Sequence, residues 1–332
     1  MKSIKNKYLF FILRILKDIF NPRVWPVSED IHSKKLGKYY FVFTEQAMAN
    51  QKGGQKSIVL DENGIPLNPT YIDVKDKKNV YFPITIGQVG LSVFHTFLDT
   101  GKETDKNRFM KFVDWYYDNA DNSEGLGIRW LTDVSLPQYK NPGPWQSAFS
   151  QSRGISILLR GYQLTGYNKY LKMAEKALIP FTKSAADGGV TSFTKWGPFY
   201  EEYTASVPTL VLNGMIFSLC GIYDFVRVFP ENKLASKIFD DGIATLKNIL
   251  PEYDLGYWSR YNLCNADFYP EIDPATNSYQ RLHITQLEML YKLTNENIFE
   301  KYVNKFKKQI NILNIIKMYF VKYRALKKLN RI

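Results

Sequence analysis

Four stretches of the chain repeat one plan, and this repetition limits the available folds more than any other feature. GQVGLSVFHTFLDTGK, QSRGISILLRGYQLTGYNKY, VLNGMIFSLCGIYDFVRVFPENK and HITQLEMLYKLTNENIF each run from a polar residue through an apolar helix and a short polar turn into a second, amphipathic helix. Three carry a glycine near the start of the apolar helix (Gly90, Gly154, Gly214) and the fourth has Thr285 there, at spacings of 60 to 71 residues. A single helical hairpin cannot bury its own apolar face, so such units stack on one another. Four of them closing together predict a mainly α protein, an α/α toroid (barrel). The N-terminal ends of its inner helices and the loops before them would share one mouth. Such a mouth favours anions, because unpaired N–H groups and helix dipoles point into it.

The rest of the chain divides around that unit. Residues 38–86 read as a small β-rich region: KYYFVF and NVYFPITI suit strands, and Glu62-Asn63-Gly64 in SIVLDENGIPL is a hairpin signal. Residues 87–310 are the expected barrel. Gly53-Gly54-Gln55-Lys56-Ser57 has the residue types of a phosphate loop's end but lacks the earlier glycine, and reads as a plain loop. Two cysteines, Cys220 and Cys264, give neither a disulfide framework nor a zinc spacing.

Net charge is +12, and its location matters more than its size. Residues 1–23 hold six basic residues and one acid, Asp18; residues 301–332 hold ten basic residues and no acid; the remaining 24–300 therefore carries −3. Segments 1–37 and 311–332 are thus basic and amphipathic. Mixed cations and bulky apolar residues at helical spacing describe a helix that lies on an anionic membrane, docks on a partner, or packs on its own domain. The longest unbroken apolar run near the start, residues 8–13, falls far short of the roughly 20 needed to span a bilayer. No cleavage-site pattern follows it. The expected location is cytoplasmic, at most peripheral to the inner face of the membrane. Nucleic acid is not an expected partner, because no binding module interleaves with the charge. A homodimer is left open.

Aromatic residues make up 15% of the chain, with 23 Tyr against 3 His. Tyr and Trp suit sugars, whose C–H groups pack on ring faces while hydroxyls hydrogen-bond; codon bias is the plain alternative. Polar tips return to the mouth: Glu202, Tyr203, Tyr261, Tyr279, Arg153, Arg260, Arg281 and His283 all fall in the stretches preceding or opening inner helices. Trp145, Trp196, Tyr200 and Asn213 join them as candidate substrate contacts. Glu201 and Glu202 are adjacent and cannot straddle one glycosidic bond, which argues against a paired-carboxylate hydrolase. Neither a G-x-S-x-G elbow nor an H-E-x-x-H spacing is present.

Three runs carry a family resemblance: PWQSAFSQSRGISILLRGYQLTGYNKYL, YEEYTASVPTLVLNGMIFSLCGIYDF and SYQRLHITQLEMLYKL. Over about residues 140–310 the chain resembles the C-terminal domain of D-glucuronyl C5-epimerases (heparosan-N-sulfate-glucuronate 5-epimerases). The resemblance implies an α/α barrel joined to β elements and inversion of glucuronate C5 within a heparan-type polysaccharide, giving iduronate. It carries the family's catalytic Glu-Tyr onto Glu202 and Tyr203, and two further tyrosines onto Tyr261 and Tyr279. It also matches His283 to a family histidine, as a substrate contact or a helix-start cap. Where the family has an arginine three residues after the first of those tyrosines, this chain has Cys264. Arg260 or Arg281, with Arg153 third, would then face the substrate carboxylate, and an arginine at 264 is expected to restore a family-like site.

The chemistry asks for a base at C5–H, cations or donors around the carboxylate, and a second proton carrier on the opposite ring face. Tyr261 and Tyr279 meet the two-face demand, with Glu202 the alternative base. Neither a metal nor another cofactor is required. A uronate lyase shares the first step; a glycan-binding module would keep Trp145 and Trp196 but not need Tyr261.

Overall fold

The computed structural model describes residues 2–20, 25–50, 59–71 and 73–332. The glycine-lysine cluster at 53–57 lies outside the described residues. In chain order, α1 (Lys2–Phe20) and α2 (Glu45–Asn50) precede a three-stranded antiparallel sheet, β1 (Val59–Leu60), β2 (Pro66–Pro69) and β3 (Asn79–Tyr81). The Glu62-Asn63-Gly64 turn joins β1 to β2, with Val59 opposite Leu67. Gly64 sits at φ +83°, in the left-handed region that favours glycine.

The four hairpins then follow. The first is α3 (Pro83–Thr100) with α4 (Glu103–Asp118), and the second is α5 (Ala148–Thr165) with α6 (Asn168–Lys176). Two ribbons, β4 (Asp121–Ser123) with β5 (Gly127–Arg129) and β6 (Thr191–Thr194) with β7 (Gly197–Tyr200), lie in the connections. The third hairpin is α7 (Leu212–Val228) with α8 (Lys233–Ile249), the fourth α9 (Asn277–Thr294) with α10 (Asn297–Gln309), and α11 (Ile312–Lys328) ends the chain.

Local chemistry sets these boundaries. Pro83 opens α3, where its missing N–H costs nothing. The Ser147 hydroxyl caps α5 by accepting from the Phe149 and Ser150 amides, and Gly166 ends that helix in the left-handed region. Inner helices pack in sequence, α3 on α5, α5 on α7 and α7 on α9. The small residues of the repeat are where these neighbours touch. A Cβ on Gly90 would meet Phe112 and Ile157, and one on Gly154 would overlap the Trp130 ring.

Two expectations change at the N-terminal side. KYYFVF is not a strand of a separate β region: apart from a bridge between Val27 and Phe41 it is irregular, and it enters the toroid interior. Tyr39, Phe41 and Phe43 are fully buried there, because four hairpins leave an apolar interior that another segment must fill. His95 clasps this segment, accepting from the Tyr39 amide at 2.8 Å while its Nδ1 lies 2.9 Å from the Phe43 carbonyl; burial pushes its pKa down to about 4. NVYFPITI is a strand only to Tyr81, since Pro83 starts the first inner helix inside the span expected to be β.

The C-terminal segment is a docked helix. Met318 and Ala325 of α11 are buried, and its Lys322 reaches Asp273. α1 lies beside it. Asp18, the one acid of the first 23 residues, accepts from the Ser278 amide (2.8 Å) and the Tyr319 hydroxyl (2.5 Å). It caps α9 and ties α1 to α11 at once.

Candidate active site

Two adjoining cavities open at the N-terminal ends of the inner helices. One, of about 160 Å³, lies on the toroid axis between Ile84 and Gln88 of α3, Phe149 of α5, Asn213 of α7 and Leu282 of α9, with Glu202 in its wall. The other, of about 230 Å³, is walled by Tyr139, Tyr203, Tyr261 and Tyr269 on one side and by Tyr319, Lys322 and Arg331 on the other. Tyr279, in the first turn of α9, faces both.

The adjacent carboxylates have separate tasks. Glu201 is buried and fully occupied: Oε1 accepts from Ser192 Oγ (2.6 Å), and Oε2 from Thr209 Oγ1 (2.6 Å) and the Leu210 amide (3.0 Å). It fastens the turn that launches α7, where Leu210 is held at φ +49°. Glu202 is also buried, yet Asn213 Nδ2 donates to its Oε2 at a loose 3.2 Å. Burial pushes its pKa up to about 7, against the pull of hydrogen bonds with Tyr203 and Asn213. Gly214 makes this placement feasible: a Cβ there would lie 2.3 Å from Glu202 Cβ and 2.5 Å from Oε2. Asn213 Oδ1 finds no partner among the described residues.

The tyrosines form one cluster. Tyr203 is seated against Trp145 and Tyr139, with ring centroids 5.2 and 5.6 Å away. Tyr261 meets Tyr279 edge to face at 5.2 Å. Tyr203 hydrogen-bonds with Tyr261, and Tyr71 joins the same group from the β-region side. Burial, and then the nearby Glu202 carboxylate, push Tyr203 and Tyr261 well above the ordinary phenol range, so both are neutral donors. A pairing of loops holds Tyr261: its amide donates to the Asp273 carbonyl (2.8 Å) and its own carbonyl accepts from Leu212 (3.3 Å).

Behind Tyr261 runs a buried polar chain. Asn262 donates to the hydroxyls of Tyr139 (2.9 Å) and Tyr269 (2.7 Å), Tyr269 donates to Asp273 Oδ2 (2.9 Å), and Lys322 Nζ donates to Asp273 Oδ1 (2.6 Å). The Lys322 ammonium lies 5.4 Å from the centre of the Tyr261 ring. No group of three His, Cys, Asp or Glu side chains among the described residues is placed to hold a metal.

Of the residues singled out in the sequence, Glu202, Tyr203, Tyr261, Tyr279 and Asn213 line the cavities. The others stand elsewhere. Tyr200 is a core ring whose hydroxyl donates to the Ile238 carbonyl at 2.6 Å. Trp145 is buried, donating to the Val134 carbonyl, and supports Tyr203 from behind. Trp196 sits on the β6–β7 turn with Lys195 over its ring. His283 is fully buried, its Nδ1 2.9 Å from Ser259 Oγ, and burial lowers its pKa to about 3, so it is neutral and neither a cap nor a cavity wall.

The three arginines lie outside the two cavities. Arg153 lines neither cavity: its guanidinium sits among the rings of Tyr39, Phe149, Phe217 and Phe43 at 4.6 to 5.3 Å. Arg260 turns to the Glu271 carbonyl at 2.8 Å, and neither it nor Arg281 is among the described residues that line these two cavities. Cys264 is buried in an apolar cluster with Phe82, Trp145 and Tyr269. Among the described residues, the cations lining the cavities are Lys322 and Arg331, both from the basic C-terminal segment.

A ring of helical hairpins with a site at the N-terminal ends of its inner helices is the architecture of an α/α-toroid protein. The solved cellobiose 2-epimerase of Spirochaeta thermophila shares this fold, at TM-score 0.55 and 11% identity over 76% of this chain and 64% of that one. The sequence model for the D-glucuronyl C5-epimerase C-terminus matches residues 124–308, and the chain belongs to that family. It is similar to the D-glucuronyl C5-epimerase of Caenorhabditis elegans, 28% identical over 60% of this chain and 34% of that protein. It is also similar to an uncharacterised protein of Methanocaldococcus jannaschii, 29% identical over 54% of this chain and 57% of that one. The chain thus spans between about a third and three-fifths of the length of these relatives.

Proposed function

We propose that this chain epimerises glucuronate residues at C5 within a polysaccharide, converting them to iduronate. The observation that carries the reading is the setting of Glu202: a buried carboxyl with its pKa near 7, at the cavity edge, beside tyrosines brought in by separate segments. A base poised near the working pH is what C5–H abstraction needs.

Ionised Glu202 takes the C5 proton, and the electron pair of the C–H bond moves into the adjoining carboxylate to form an enolate. Tyr261 or Tyr279 returns a proton to C5 from the opposite face, and exchange with water resets both groups. The extra charge on the substrate carboxylate is met by hydroxyl donors and by Lys322, acting where water is scarce. The structure therefore favours Glu202 over a tyrosine as base, because burial holds the phenols in their neutral form.

Compositional analysis of a glucuronate polymer after incubation tests this reading. Iduronate should appear with no unsaturated uronate. Unsaturated ends would instead mark a lyase, in which the enolate expels the C4 substituent.

A further inference from the structure

α11 buries one side against the barrel, α1 reaches it through Ile15 and Asp18, and both helices leave apolar side chains uncovered. On α1, Leu9, Ile12, Leu13, Leu16 and Phe20 are all exposed, Phe20 at 81%. Their spacing puts them on one helix face. On α11, Ile312, Leu313, Ile316 and Phe320 are exposed, each at 59% or more, again along one face. Side chains of this size are usually withdrawn from water, and a set of nine on two neighbouring helices marks an interaction surface. The helices lie side by side, joined by Asp18–Tyr319 and by a hydrogen bond between Tyr8 and Tyr323.

Charge chooses the occupant. The exposed side of α11 also carries Lys317, Arg324, Lys327 and Lys328, and the Arg324 guanidinium lies over the Phe320 ring at 4.4 Å. Segments 1–23 and 301–332 hold +15 between them against −3 for the rest of the chain. A second copy would bring like charges together on this face. An anionic bilayer offers phosphates to the cations and acyl chains to the leucines and phenylalanines. No described helix is long and apolar enough to cross a membrane, so the contact is with its surface.

We propose that the α1–α11 face docks the protein on an anionic lipid surface. The same two helices wall the larger cavity through Ile15, Tyr319 and Lys322, so docking holds the candidate site beside the bilayer. The inference stands apart from the chemistry proposed above and is read without turnover.

The test is sedimentation of the full chain with phosphatidylcholine vesicles, with and without phosphatidylglycerol. Binding should require the anionic lipid and weaken with salt. Leu13→Glu/Leu16→Glu and Ile316→Glu/Phe320→Glu alter exposed positions, so thermal unfolding should be unchanged. Each pair should cut partitioning by roughly tenfold or more. The idea is overturned if the wild-type chain stays in the supernatant with anionic vesicles, or if the folded variants bind as well as it does. It is equally overturned if light scattering shows a dimer that these substitutions dissociate, since a second copy then covers the face.

Discussion

Lys322 and Asp273 meet at 2.6 Å in a buried ion pair that joins the C-terminal helix to the loop carrying Tyr261. The basic C-terminal segment is therefore part of the candidate site. Its removal, which the sequence pattern alone suggests would leave turnover on a soluble oligosaccharide intact, should abolish that turnover. Residues 311–332 supply one wall of the larger cavity.

Structural and chemical roles of Lys322 can be separated. Lys322→Met leaves the Asp273 charge buried without its partner and should cost roughly 3 kcal/mol in denaturant unfolding. Adding Asp273→Asn should recover most of that stability. If the ammonium also serves the substrate carboxylate, turnover of the double variant stays at least about tenfold low; full recovery of turnover would assign Lys322 to structure alone.

Glu202 ties activity and stability to pH in opposite senses. Its folded pKa of about 7 lies above the ordinary 4.5, so between those values the native state holds a proton that the unfolded chain has released. Stability from this group is full below pH 4.5 and falls as pH rises towards 7. Glu202→Gln removes the liability, and should raise unfolding free energy at a pH of about 8 by roughly 1–3 kcal/mol with no gain in acid. The same variant should lose about 10²–10⁴-fold in turnover. Wild-type turnover should climb through a pH of about 7 as the base ionises. A variant less stable than wild type in alkali would show that the carboxylate is stabilising and the pKa reading is wrong.

Gly214 bears on position. An added methyl displaces Glu202 at both Cβ and Oε2. Gly214→Ala should reduce turnover by up to about a hundredfold, in line with a displacement near 1 Å, while circular dichroism stays helical. Unchanged activity would mean that the Glu202 position is not critical.

Cys264→Arg tests whether a family-like arginine can be restored. Cys264 is packed with Phe82, Trp145 and Tyr269, and burial pushes its thiol up to about 11. A guanidinium forced into that cluster should cost roughly 3 kcal/mol or more. A stable, more active variant would show that the cluster opens readily to the cavity.

The hairpin repeat was readable because helix periodicity and the small residues at helix contacts are local properties of the chain. Glu202, Tyr203, Tyr261 and Tyr279 were readable because the family runs place them on loops at helix starts. Which cations line the cavities was not. Whether Arg260 turns to the cavity or to the Glu271 carbonyl depends on the folding of a long loop, and no period records it. Lys322 and Arg331 looked like tail charges, since nothing local says that α11 folds back over the mouth. KYYFVF misled for a related reason: a run of buried aromatics reads as a strand whether it joins a sheet or fills a toroid.

The most direct measurement is NMR of a glucuronate polymer incubated with the protein in D2O. The account predicts deuterium at C5 of both glucuronate and newly formed iduronate. Formation of deuterated iduronate should fall about 10²–10⁴-fold in whichever of Tyr261→Phe and Tyr279→Phe removes the returning proton carrier, each folded as wild type. Protium retained at C5 under wild-type protein, or iduronate formation undiminished in both variants, would contradict it.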